Sequence, residues 1–83
     1  MSTFWVCKHA RLEDQTAAEV LSAIRYELAT IIGADNILRT ENRPPSKPNA
    51  ELTVNAYEIT AEGWEILTQG FAGPQGFERC VAP

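Results

Sequence analysis

Three side chains in this sequence have the chemistry of metal ligands or nucleophiles: Cys7, His9 and Cys80. Cys7 and His9 stand two positions apart, so on a strand they share one face. Together with the distant Cys80 they supply three of the four ligands that a structural zinc site takes. The spacing matches no zinc motif and no fourth ligand accompanies it, so no metal is expected. Side chains two apart on a strand project in parallel, which does not build a thiolate–imidazole pair. The cysteines are therefore expected as buried thiols, since free cysteine packs as a small hydrophobe. Glu62 and Glu65 share a face if their segment is helical, and exposed glutamates in that arrangement serve solubility. Gly63, Gly70, Gly73 and Gly76 suit turns and caps, not a phosphate-binding loop. No catalytic residue and no cofactor is expected.

A second set of residues suits binding. Arg39, Arg43 and Lys47 place positive charge on and beside a proline-rich run, with Glu41 opposing. Such a segment can meet phosphate or an acidic protein groove; a solvated loop is the plain alternative. Pro45-Ser46-Lys47-Pro48 has the formal PxxP spacing, a weak docking signal. Tryptophan and arginine carry interface energy where they are accessible. Trp5, Arg39, Arg43, Lys47 and Trp64 are accordingly the candidate partner-binding residues.

The charge balance narrows the partner. Residues 1–48 hold six basic and six acidic side chains, whereas residues 49–83 hold Glu51, Glu58, Glu62, Glu65 and Glu78 against Arg79 alone. The whole net charge of −4 thus lies in the C-terminal part. A nucleic-acid-binding domain usually shows the opposite sign over a broad face, so nucleic acid is disfavoured and a protein partner preferred. Lys8, His9 and Arg11 interrupt the N-terminus too early for the apolar core of a signal peptide. The longest strongly apolar run, residues 28–34, falls far short of the roughly 20 that a membrane span needs. No membrane association and a cytoplasmic location are expected.

The elements that must position these groups are legible in part. Eighty-three residues with 45% hydrophobic side chains make a single α+β domain, 1–83. Residues 3–9, rich in β-formers, read as a strand with Trp5, Cys7 and His9 on one face. The Trp5 face is too apolar to be left in water without a reason. Ala17, Leu21, Ile24, Leu28 and Ile31 recur at helical spacing, which predicts a helix over 13–32. Glu13 and Asp14 would sit at its positive end, and Gly33 at its left-handed terminus. Residues 36–41 suit a short edge strand. The run 43–49 contains Pro44, Pro45 and Pro48 and must be an exposed loop, with Arg39 the first site for trypsin.

Beyond the loop two readings stay open. In one, 51–59 is a strand and 61–69 a helix capped by Thr60 and closed by Gly70, with Phe71 packing back on Ile66. The order is then βαββαβ, a ferredoxin-like four-stranded, mostly antiparallel sheet with two helices on one face. In the other, 50–62 is a helix and 64–71 a strand, giving βαβαββ. A turn at Gly73-Pro74-Gln75-Gly76 then leads into a last strand over 77–82. β propensity and the two caps favour the first.

Two resemblances fall on residues 57–67. Tyr57, Ile59, Thr60, Gly63 and Leu67 resemble the wing strand and C-terminal helix of winged-helix repressors, which implies a wing at 39–49 and nucleic-acid binding. Glu62, Gly63, Trp64, Glu65 and Ile66 resemble the Glu-Gly-Trp-Glu-Leu motif of a small bacterial domain family of unknown function, which implies no activity. The preferred functional expectation is a non-catalytic binding or regulatory module acting through a protein partner. A phage- or plasmid-type accessory inhibitor is an example, by analogy of class alone.

Overall fold

The computed structural model describes residues 2–69 and 76–83. Along the chain run β1 (Thr3–Arg11), α1 (Ala17–Ile32), a 3-10 turn (Ala34–Asn36), β2 (Ile37–Arg43), β3 (Leu52–Thr60), α2 (Ala61–Gln69) and β4 (Glu78–Cys80). The strands lie in the order β2-β3-β1-β4, and each neighbouring pair is antiparallel. This is the βαββαβ, ferredoxin-like order. Its two helices pack on one face through Val20, Ile24, Leu28, Ile32 and Leu67, which meet Val6, Tyr57 and Ile59 of the central strands.

β3 settles the open reading of residues 51–69. A central strand is covered on both faces, and Thr53 to Tyr57 are buried without a break. The hydroxyl of Thr60 then accepts from the Gly63 amide at 2.9 Å, which starts α2 at Ala61. The βαβαββ alternative is excluded with it. The expected roles of Gly70 and Phe71, and most of the 73–76 turn, lie outside the described residues.

Several boundaries move; β1, for one, runs on to Arg11. α1 begins at Ala17 because Glu13 and Asp14 have φ of 47° and 67°, a left-handed turn that no α-helix can include. Thr16 caps the helix instead: its hydroxyl accepts from the Glu19 amide at 3.1 Å, and the Glu19 carboxylate accepts from the Thr16 amide at 2.9 Å. The buried stripe steps by four through Val20, Ile24, Leu28 and Ile32, leaving Leu21 and Ile31 at its margins. β2 continues to Arg43, which pairs with Val54, so the proline-rich loop begins at Pro44. β4 is short, Glu78–Cys80. At the other end of α1, Gly33 has φ 89° and donates to the Ala29 carbonyl at 2.8 Å, as its glycine suggests.

Candidate binding face

Among the described residues no helix covers the second face of the sheet. Its centre is a cluster of Trp5 and Cys7 from β1 with Val54 and Ala56 from β3, against which Cys80 of β4 packs. Period-two alternation sends these side chains to this side and Phe4, Val6, Tyr57 and Ile59 to the other. Trp5 is nonetheless only 5% exposed. Its cover comes from β2, where Arg39, Glu41 and Arg43 alternate onto the same face. The Arg39 and Arg43 guanidinium carbons stand 5.2 and 5.0 Å from the indole ring centre.

Carboxylates hold both arginines in place. Arg39 Nε donates to Glu58 Oε1 at 2.8 Å, and Thr3 donates to Glu58 Oε2 at 2.9 Å. The Arg39 hydrogen bond, then that of Thr3, holds the Glu58 carboxyl below its ordinary range. Arg43 Nε donates to Glu41 Oε2 at 2.6 Å. Its Nη1 faces Cys7 Sγ at 3.9 Å, and its Nη2 is buried with no hydrogen-bond partner among the described residues.

The cysteines correct the expectation of buried thiols: Cys7 and Cys80 form a disulfide. The β1–β4 register sets Cys7 opposite Glu78 and Cys80 opposite Trp5, so the cysteines are diagonal neighbours on one face. Their Cα atoms are 5.9 Å apart, within bridging range. The bond takes both sulfurs out of any ligand set with His9. Among the described residues no group of His, Cys, Asp and Glu is placed to hold a metal ion.

The fold therefore gathers Trp5, Arg39 and Arg43 and separates the other two candidates. Trp5 is buried under the arginines, not presented bare. Lys47 is exposed in the loop beyond β2. Trp64 lies on the helical side, stacked on Phe4 with ring centres 5.6 Å apart. Arg79 covers that pair, its guanidinium carbon 4.5 Å from the Phe4 ring and 5.2 Å from the Trp64 ring. Residue types alone did not reveal Glu58 or the disulfide as members of the site, and showed Glu41 only as a charge opposing its basic neighbours. The Arg39-x-Glu41-x-Arg43 alternation was the available signal, since it puts all three on one side of a strand. No helix among the described residues is long and apolar enough to cross a membrane. No family model matches the chain, and neither a curated protein nor a solved structure matches it.

Proposed function

We propose that this protein is a non-catalytic binding module that acts through a protein partner docked on the Trp5 face of the sheet. One observation supports the reading above others. Among the described residues, a tryptophan-centred apolar cluster is covered by two long charged side chains and by no helix. Arg39 is 62% exposed along its side chain, so moving it from the indole costs its Glu58 ion pair and not the packed core. Tryptophan and arginine side by side supply both the apolar area and the directional donors that interface hot spots use. The face is close to neutral because Arg39 and Arg43 already have carboxylate partners, which suits a protein surface better than a phosphate backbone. In this reading the module works in the cytoplasm as a regulator or accessory inhibitor of its partner.

The test places a photo-crosslinking residue at position 39 and, as a control, at Tyr26 on the far side of α1. A protein crosslinked in the host from position 39 and not from 26, whose capture is lost in Trp5→Ala or Arg43→Glu backgrounds that stay folded, supports the proposal. Salt-sensitive retention on DNA or heparin, with no crosslinked protein, would replace it with a nucleic-acid reading.

A further inference from the structure

The disulfide and the Arg43 guanidinium lie against each other through Nη1 and Cys7 Sγ, and neither belongs to the core under the helices. Cys7 is 5% exposed, whereas Cys80 is only half-buried, so an incoming thiolate reaches Cys80 Sγ first. Attack there expels Cys7 as a thiolate, and the group facing Cys7 Sγ is the Arg43 guanidinium. Its Nη1 is already 3.9 Å away and its buried Nη2 has no acceptor among the described residues. An anion at Cys7 would give Nη1 a charge-assisted partner in place of a neutral sulfur. The other titratable groups facing this sulfur are Glu41, held on Arg43 Nε, Glu78, opposite Cys7 in the register, and His9, two positions along β1. A cation beside the leaving sulfur lowers its pKa and makes it a better leaving group.

β4 is short and lies at the sheet edge: among the described residues it pairs only with β1, through three register positions from Glu78 to Cys80, and Val81 beyond it is 80% exposed. Apart from the disulfide, its side-chain hold is the stacking of Arg79 on Phe4 and Trp64. Phe77, just before it, is anchored in the core with its ring edge-on to Tyr57 at 6.2 Å. Phe77 is thus a fixed point about which residues 78–83 can leave the sheet without unfolding it.

We propose that Cys7–Cys80 is an exchange-active disulfide, reduced by dithiols through Cys80 with Arg43 receiving the Cys7 thiolate, and that its reduction frees β4 and bares the β1 edge. The chemistry balances with a dithiol as reductant. Its first thiolate forms a mixed disulfide with Cys80 and releases the Cys7 thiolate. Its second thiolate then attacks the mixed disulfide at the reductant's own sulfur and releases the Cys80 thiolate. Two electrons pass to the protein, the reductant leaves as a disulfide, and solvent protonates the thiolates according to their pKa values. A cytosolic protein that carries a disulfide usually uses it in this transient, redox-sensing way. The bared edge would offer unpaired backbone groups at Trp5 to Cys7 for strand addition.

Four measurements on the full chain test the proposal, which stands apart from the identity of any partner. Brief treatment with the monothiol glutathione, acid quench and peptide mapping should recover the mixed disulfide on Cys80; recovery on Cys7 overturns the assigned direction. Reduction by dithiothreitol at neutral pH should slow by about threefold in Arg43→Gln and largely recover in Arg43→Lys. In the reduced protein, the same Gln variant should raise the Cys7 thiolate midpoint by about one pH unit, a change that loss of packing alone would not give. Unchanged rates and midpoints overturn the role of Arg43. Hydrogen exchange of the unsubstituted protein should show amides of 78–80 at least about tenfold less protected after reduction, with Thr53 to Tyr57 still protected. Equal protection of 78–80 in both states overturns the release of β4.

Discussion

Gly63 shows how one missing side chain couples two elements. A Cβ there would come 2.9 Å from Asn36 Cβ and 3.2 Å from Ile32 Cδ1, closer than atoms can sit without a shift. The same Asn36 side chain donates to the Ile32 carbonyl at 2.7 Å and accepts from Thr60 at 2.6 Å, so it has no easy retreat. Alanine in a helix is worth about 1 kcal/mol over glycine, while overpacking a tight contact costs about 1–3 kcal/mol. The overlap should win. Gly63→Ala is expected to lower unfolding free energy in urea by about 1 kcal/mol, and a more stable variant would place the start of α2 farther from the end of α1. Tyr57 makes a comparable link across the core: its hydroxyl donates to the Leu21 carbonyl at 2.7 Å. Burial raises that hydroxyl well above the ordinary phenol range, so it stays a donor at any physiological pH.

At the scale of elements, α1 and the β2–β3 pair depend on polar devices whose effects differ with pH. The capping box at Thr16 satisfies orphan amides of the first turn, and Thr16→Ala should cost about 1 kcal/mol in thermal or chemical denaturation. An unchanged midpoint would mean that solvent caps the helix equally well. Across the open face, Glu58 has its carboxyl lowered from an ordinary 4.5, first by Arg39 and then by Thr3. The folded state thus prefers the ionised form. Its contribution is complete above the ordinary carboxylate pKa and is lost as pH falls through the lowered folded value. Stability followed downward from pH 6 should therefore fall less steeply below about 4.5 in Glu58→Gln than in the parent protein. Parallel curves would show that the carboxylate gains nothing from folding.

For the whole molecule, the disulfide joins positions separated by 73 residues, close to both ends of the chain. Chain entropy makes such a long closure worth about 2–4 kcal/mol, a large share of what so small a domain possesses. The double variant Cys7→Ala, Cys80→Ala should lose about that much in urea denaturation, and its stability should no longer respond to reductant. A loss below about 0.5 kcal/mol would return the cysteines to the role of packing groups that the composition suggested. The proline-rich segment is a loop, as its sequence suggests, but the strand before it is longer. Arg39, the foreseen trypsin site, lies in β2 with its Nε on Glu58, and the two basic residues that follow, Arg43 and Lys47, each precede a proline.

What the sequence determined by itself was local. The α1 periodicity, the left-handed Gly33, the Thr60 cap and the prolines after Arg43 each act through neighbours within a turn or two, so their meaning survives without a fold. Strand alternation likewise put Trp5 and Cys7 on one side before any partner strand was known. Tertiary structure decided everything that depends on register. It made β3 a central strand buried on both faces, which no alternation could announce. It set Cys80 diagonal to Cys7 and turned two expected thiols into a disulfide. It brought Arg39 and Arg43 over an indole that would otherwise face water. Pairing between strands separated by tens of residues is a property of the assembled sheet, because each backbone bond is chosen against all competing registers at once.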